Sequence, residues 1–147
     1  GLNNVVGIQT TALGAEPVPD ALYRATRLIR VTGRAVPNAF ILHPVDWEAI
    51  RLLRTADGIY IWGSPSEAAL ERIWGLPVIQ SDAQTQNTGL CADFRNFTEL
   101  VFRRGIDVQV SNSHDTYFTT GRQAVRADVR VAFICYRPQA VCTITGI

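Results

Sequence analysis

Apolar residues recur every three or four positions in the first half of the chain, which is the spacing of an amphipathic helix. One helix is predicted from Val18 to Gly33, with a single buried face and Asp20 near its electropositive start. A second helix is predicted from Val45 to Arg54, following a proline in the first-turn position. Both helices would pack one side against the rest of the fold.

Ser64-Pro65-Ser66-Glu67 has the form of a capping box that starts a helix. Its first serine can accept a hydrogen bond from the backbone near the glutamate, and its proline occupies a position where no N–H is needed. Gly75 can take the left-handed conformation that closes a helix, and Leu76-Pro77 prevents its continuation. These signals predict a third helix of about three turns, with Leu70 and Ile73 on its inner side.

Short apolar runs predict most of the strands. Ala39–Leu42 and Ile59–Trp62 are typical of buried strands. Further strands, separated by turns and by a polar loop over 80–89, are predicted at 78–79, 90–94, 99–102, 107–111 and 140–144.

The most regular pattern lies near the C-terminus. From Ala124 to Tyr136 apolar residues alternate with polar ones, and the polar face carries Arg126, Asp128 and Arg130. This is the period of a long, half-exposed strand, and the polar segment before it makes the region a hairpin with a polar tip. Such an arm would leave sheet edges exposed, and a neighbouring subunit is the simplest cover.

The order of these elements predicts an α+β fold, with a mixed or antiparallel sheet, about three helices and a long β-hairpin. The 147 residues are enough for one domain with a proper core. With 47% hydrophobic and 18% charged residues, the composition is that of a folded globular protein rather than a disordered one.

Charge and hydropathy exclude two classes of partner. The chain has 14 basic and 13 acidic residues, and every basic residue is arginine. A groove-binding protein normally has a clearly basic face, so no sequence-specific nucleic acid is expected. The longest apolar runs, such as Val131–Tyr136, are far shorter than the roughly 20 residues that span a bilayer, so no membrane is expected either.

The three cysteines, Cys91, Cys135 and Cys142, do not form a ligand motif. Their number is odd, no C-x-x-C is present, and only two histidines could assist them. We therefore expect no metal, no organic cofactor and no disulfide, the cysteines being small buried hydrophobes. A Cys135–Cys142 bridge, with Pro138 turning the chain, is the remaining alternative.

A search for catalytic motifs yields little. The chain contains no G-x-S-x-G elbow, no phosphate-binding loop and no dinucleotide fingerprint. His43 lies between a strand and a helix and is interpreted as structural. His114 could act as a general base oriented by Asp115, but no suitably spaced nucleophile accompanies the pair. No catalytic residue is predicted, and a small hydrolase using His114 and Asp115 is a remote alternative.

The segment Phe40–Trp47, with the sequence Phe-Ile-Leu-His-Pro-Val-Asp-Trp, resembles the major capsid proteins of tailed phages. Trp74–Val78, Asp93-Phe94, Val108–Ser111 and Tyr136–Pro138 follow in that family's order and spacing. The resemblance covers essentially the whole chain. It implies the Johnson fold, the fold of phage Hong Kong ninety-seven, and a structural role rather than catalysis.

The resemblance also implies a division of the chain. Residues 1–107 would form the axial (A) domain, 108–137 a hairpin reaching into the peripheral (P) domain, and 138–147 a strand returning to the A domain. The family's N-terminal arm, extended loop and spine helix would precede this stretch and are not in the chain.

As a capsid protein, the chain would assemble with copies of itself into the pentamers and hexamers of an icosahedral phage or prophage shell that encloses the genome. Scaffold, maturation protease, portal and decoration proteins are further partners that the resemblance implies. The subunit would belong to the virion and be assembled in the cytoplasm of a bacterial host. An encapsulin-type nanocompartment shell is the alternative within the same fold.

The tip and polar face of the hairpin form the predicted subunit interface. Its members are Ser113, His114, Asp115, Thr116, Tyr117, Gly121, Arg122, Arg126, Asp128 and Arg130. Some members of the family crosslink their shells through a Lys, an Asn and an assisting Glu. The Asn position falls on Gly121 and the Glu position on Asp128, and the chain has no Lys, so crosslinking is not expected.

Overall fold

The first predicted helix is α1 (Val18–Val31) in the computed structural model, which describes residues 2–62 and 70–147. Leu22, Ala25 and Ile29 of its apolar stripe are fully buried, as the periodicity predicts, and Leu28 is partly buried against the core. Gly33 follows the helix for a steric reason. A Cβ at this position would lie 2.3 Å from the carbonyl oxygen of Gln139, so only glycine permits this close approach of two backbone segments.

The second helix, α2 (Pro44–Arg51), is shorter than predicted. The Nδ1 atom of His43 accepts a hydrogen bond from the backbone N–H of Val45 at 3.2 Å and caps the helix, which gives this histidine the structural role expected from the sequence. Trp47 and Ile50 are buried, as predicted from their spacing. Leu53 lies beyond the helix end and packs only partly against the core.

The third predicted helix is wrong where the structure describes it. Its capping box, residues 64–67, lies outside the described residues. The predicted C-terminal end is a tight hairpin of β3 (Arg72–Ile73) and β4 (Leu76–Gln80). Trp74 and Gly75 both have positive φ, 52° and 80°, which is the requirement of a two-residue type I′ turn. The left-handed glycine is therefore a hairpin signal here.

The strand predicted at 59–62 is also absent. Residues 53–61 form a loop, hereafter loop 53–61, with a single bridge between Arg54 and Tyr60. The backbone N–H of Thr55 donates to Ile59 O at 2.8 Å, and that of Ile61 donates to Leu53 O at 3.1 Å. The apolar run is therefore held by local hydrogen bonds outside the sheet.

A six-stranded mixed sheet forms the centre of the fold, in the order β1-β8-β5-β2-β4-β3. The remaining strands of this sheet are β1 (Gln9–Ala12), β2 (Ala39–Leu42), β5 (Thr88–Ala92) and β8 (Val141–Thr145). The pairs β1–β8 and β2–β4 are parallel, and the other pairs are antiparallel. The last strand of the chain therefore lies beside the first, inside the sheet, which confirms the predicted mixed α+β class.

Both faces of the sheet are covered. On one face Phe40, Leu42 and Ile144 pack with the buried residues of α1 and α2. On the other face Leu90, Ala92 and Val141 form a smaller cluster. A 3₁₀ turn at Leu2–Asn4 packs the partly buried Leu2 against this second cluster.

The two strands predicted at 99–102 and 107–111 are one continuous strand, β6 (Thr98–Ser111). No turn forms between them, because Gly105 continues the extended backbone. β6 pairs with β7 (Ala124–Cys135) in a separate two-stranded sheet, and the single-turn helices α3 (Phe94–Phe97) and α4 (Tyr117–Thr120) lie before β6 and between the two strands.

The chain divides into two compact units. One comprises the described residues up to Thr98 together with Cys135–Ile147, and the other is Glu99–Ile134, hereafter the β-arm. The boundary expected at residue 107 therefore lies inside β6, since the predicted turn before it does not form.

Candidate subunit interface

The β-arm has two chemically different faces. Arg126 on β7 donates to the side-chain oxygen of Gln109 on β6 at 3.3 Å, which places these two residues on the same face. Strand alternation then puts their neighbours Val108, Val110 and Val125 on the opposite face. The arm is therefore a two-stranded sheet with a polar and an apolar side.

The polar face holds a small network of charged groups. Arg126 forms an ion pair with Asp128 at 2.8 Å, two positions along the same strand. Asp107 accepts from Gln109 at 3.2 Å and also forms an ion pair with Arg104, three positions earlier on β6. Both arginines and Asp128 are largely exposed and Asp107 is partly exposed, so each pair contributes only about 0–1 kcal/mol to folding.

The apolar face consists of exposed aliphatic side chains. Its members, Ile106, Val108, Val110, Val125, Val129 and Val131, are 49–77% exposed. Leu100, Phe102 and Phe133 are further exposed apolar residues on the same strands. The sequence pattern predicted a half-exposed strand that a neighbouring subunit would cover. In the single chain neither face of β7 is covered, since the strand has no buried residue.

The residues predicted for the tip lie together there in an ordered turn. The Ser113 and Ser111 hydroxyls are 2.8 Å apart. The carbonyl oxygen of Thr116 accepts from the hydroxyls of Thr119 and Thr120, and Gly121 closes α4 in the left-handed conformation. Arg122 is joined to the turn through its backbone N–H, which donates to Tyr117 O at 2.9 Å.

One exposed residue of the tip was not predicted. Phe118 lies on α4 and is 76% exposed, within a segment interpreted from sequence as polar. The signal that could have identified it is the aromatic pair Tyr117-Phe118 among threonines. Phe118 thus adds an aromatic ring to the exposed apolar side chains of the β-arm, and large exposed apolar patches mark interaction sites.

The geometry does not support the hydrolase alternative. The His114 ring packs edge-on against Tyr117, with 5.3 Å between ring centroids, and no described hydrogen bond joins it to Asp115. Asp115 itself has a positive φ of 47° in the turn. Within residues 2–62 and 70–147, no group of three or more His, Cys, Asp or Glu side chains could hold a metal ion.

The cysteines have a different arrangement from the one considered from sequence. Cys142 lies directly opposite Cys91 on the antiparallel pair β5–β8, and all three cysteines are free. Burial raises the pKa of Cys142 to about 12. Burial, and then the neighbouring Cys142, raise that of Cys91 well above its ordinary value. Both thiols are therefore neutral core residues at physiological pH.

No helix in the described part of the chain is long and apolar enough to cross a membrane.

Comparison with known proteins gives a consistent result. Residues 1–146 match the model of the phage capsid family. The chain is 30% identical over 142 residues to the major capsid protein of Enterobacteria phage HK97, covering 96% of this chain. It spans only 37% of the length of that relative.

Solved structures share the fold. The capsid of an empty GTA particle has a TM-score of 0.76 at 19% identity, covering 94% of this chain and 49% of that one. The holo-SrpI encapsulin complex from Synechococcus elongatus has a TM-score of 0.66 at 20% identity, covering 99% of this chain and 55% of that one. The architecture described above is therefore the fold that these two structures share.

Proposed function

Because this chain belongs to the phage capsid family, we propose that it is the C-terminal part of the major capsid protein of a tailed phage or prophage. Its role is structural and non-enzymatic: copies of the protein associate into pentamers and hexamers, which build an icosahedral shell around the genome. The protein is then part of the virion and is assembled in the cytoplasm of the bacterial host.

The observation that carries this proposal is the apolar face of the β-arm. Six aliphatic side chains on one side of a two-stranded sheet are each 49–77% exposed. Covering each of them would contribute roughly 1 kcal/mol. A neighbouring subunit can supply that cover, and the polar face and tip then set the register between copies through charge pairs.

The relatives' greater length is consistent with further parts of the subunit. In this proposal the A domain is built from residues 1–107, the hairpin 108–137 reaches into the P domain, and 138–147 returns to the A domain. The N-terminal arm, extended loop and spine helix belong to the longer protein. Scaffold, maturation protease, portal and decoration proteins are proposed as its additional partners.

The shell is proposed to be held without covalent crosslinks. Gly121, at the position of the family's crosslinking Asn, offers no side chain. Asp128, at the position of the assisting Glu, forms an ion pair with Arg126. The family's Lys lies in the extended loop, so the proposal depends on positions 121 and 128 alone.

An encapsulin-type nanocompartment is the second candidate, because the encapsulin complex shares the fold. The 30% identity to a phage major capsid protein favours the phage assignment. Purified particles distinguish the two, since a phage shell is associated with portal protein and genome, whereas a nanocompartment holds an enclosed enzyme.

The experiment that tests the proposal is assembly of the full-length protein, followed by electron microscopy. We expect uniform icosahedral particles from the unmodified protein and few or none from Val108→Asp combined with Val129→Asp, which places charge on the apolar face. Gln86→Asp, in an exposed loop outside the β-arm, is the matched control and should assemble normally. Normal particles from the double variant would contradict the role of this face.

A further inference from the structure

A groove beside α1 is lined by exposed aromatic and cationic side chains. It has a volume of about 500 Å³ and is formed by α1 together with the turn between β3 and β4. Tyr23, Arg27 and Arg30 line it from the helix, and Trp74 lines it from the turn. We refer to it as the α1 groove.

The aromatic side of the α1 groove is held in place by specific contacts. The Trp74 indole N–H donates to the carbonyl oxygen of Pro19 at 2.9 Å, and its ring lies 4.9 Å from that of Tyr23, centroid to centroid. Half of each residue is nevertheless exposed, 50% for Trp74 and 55% for Tyr23. Rigid, half-exposed Trp and Tyr side chains are typical anchors of protein interfaces.

Among the described residues, no carboxylate pairs with the cationic side of the groove. Arg27 and Arg30 are exposed, and neither forms an ion pair with any carboxylate of the described residues. Arg24, on the same helix, is by contrast paired with Glu16. The groove therefore fits an occupant that combines a carboxylate with apolar side chains.

Loop 53–61 has this combination. Ile59 and Ile61 are 66% and 54% exposed, and Asp57 is exposed without an ion pair among the described residues. The one cation of the loop, Arg54, is occupied, since it donates to the Tyr60 hydroxyl and lies 4.3 Å over its ring. The loop thus offers one free carboxylate beside two isoleucines.

The loop is also preorganised for binding. The Thr55 carbonyl accepts from the Gly58 N–H at 2.9 Å, and the Thr55 hydroxyl accepts from the Ile59 N–H at 3.3 Å. Apart from the Leu53 N–H, which donates to Ile50 O at 3.2 Å, its described hydrogen bonds remain within the loop, and none reaches the α1 groove of the same chain. A preordered loop loses little conformational entropy when it binds.

We propose that the α1 groove binds loop 53–61 of a second copy of this chain, with Asp57 between Arg27 and Arg30 and the two isoleucines against Tyr23 and Trp74. The groove and the loop are different surfaces of one chain, so the contact is head-to-tail and can close into a ring. The inference rests on the proposed function and identifies a contact between neighbours within a pentamer or hexamer.

The first test is a charge exchange in the full-length protein, with particle yield measured by electron microscopy and folding by circular dichroism. Arg27→Glu with Arg30→Glu should lower the yield about tenfold or more, because like charges then face each other. Asp57→Arg alone should do the same, and combining all three substitutions should restore assembly. Arg95→Glu, an exposed arginine away from both surfaces, is the control.

The outcomes separate this inference from the proposed function. The inference is overturned if the variant with Arg27→Glu and Arg30→Glu assembles normally. It is also overturned if that variant fails to assemble and Asp57→Arg does not rescue it. In both cases the wild-type particles still support the proposed function. If the unmodified protein forms no particles, the proposed function fails and the inference fails with it.

A second test does not depend on the charge variants. Val31→Cys in the groove and Ile59→Cys in the loop are combined with Cys135→Ala, which removes the least buried native thiol. A short bismaleimide applied to assembled particles should give a covalent ladder that ends at five and six copies. Either cysteine alone should not give this ladder. Uncrosslinked monomers from the paired variant in intact particles would overturn the contact.

Discussion

Replacing Gly33 with alanine tests the packing between the end of α1 and the segment before β8. The added Cβ would lie 2.3 Å from Gln139 O and 2.7 Å from Ile29 O, and both obstacles are backbone atoms that cannot rotate away. Gly33 does not have a positive φ, so a substitution without steric conflict would stabilise the fold by about 0.4–1 kcal/mol. The steric conflict of the added Cβ with these backbone atoms should make the substitution destabilising instead.

We expect Gly33→Ala to lower the free energy of unfolding by about 1–3 kcal/mol, the usual cost of overpacking. The assay is urea unfolding followed by circular dichroism, on this chain and on its variants. Gly105→Ala is the matched control, since Gly105 also lacks a positive φ and its Cβ would meet nothing within 4 Å. It should be neutral or slightly stabilising. A Gly33→Ala protein at least as stable as the wild type would refute the close approach of these two segments.

Three further predictions concern the core, the polar face and the thiols. Ile50→Ala should lower the free energy of unfolding, measured in urea, by about 2–5 kcal/mol. Leu53→Ala, at the edge of the core, should lower it by only about 1–2 kcal/mol. Equal losses would contradict the described burial. Changing Arg126 and Arg130 to Glu should impair particle assembly without altering the circular dichroism spectrum. Normal particles from this variant would show that the polar face is not part of the subunit interface. Because the pKa of Cys142 is raised from 9.0 to about 12, stability should fall as pH rises above about 9, by up to about 1.4 kcal/mol per pH unit for this thiol. Cys142→Ala should reduce that slope, and an unchanged slope between pH 9 and 11 would contradict the shift.

Local signals in the sequence predicted the central elements well. The periodicity from Leu22 to Ile29 defines α1, and the apolar run Ala39–Leu42 becomes β2 at the middle of the sheet. These segments were predictable because propensity, hydrophobic period and burial agree in them. The family resemblance added the order of the whole chain, which local patterns alone cannot supply.

The errors arose where one signal serves two structures. A left-handed glycine such as Gly75 closes helices and also type I′ turns, and only the pairing of β3 with β4 decides between them. Arg103-Arg104-Gly105 is typical of a turn but continues β6. For the β-arm, alternation showed which residues share a face but not what covers that face, so its cover stayed an expectation.

A cryo-electron microscopy map of the particles formed by the full-length protein tests the central claim most directly. The account predicts an icosahedral shell of pentamers and hexamers in which Ile106, Val108 and Val129 of one subunit are covered by a neighbouring subunit. A protein that remains monomeric under assembly conditions, or a shell in which these side chains face solvent, would contradict it.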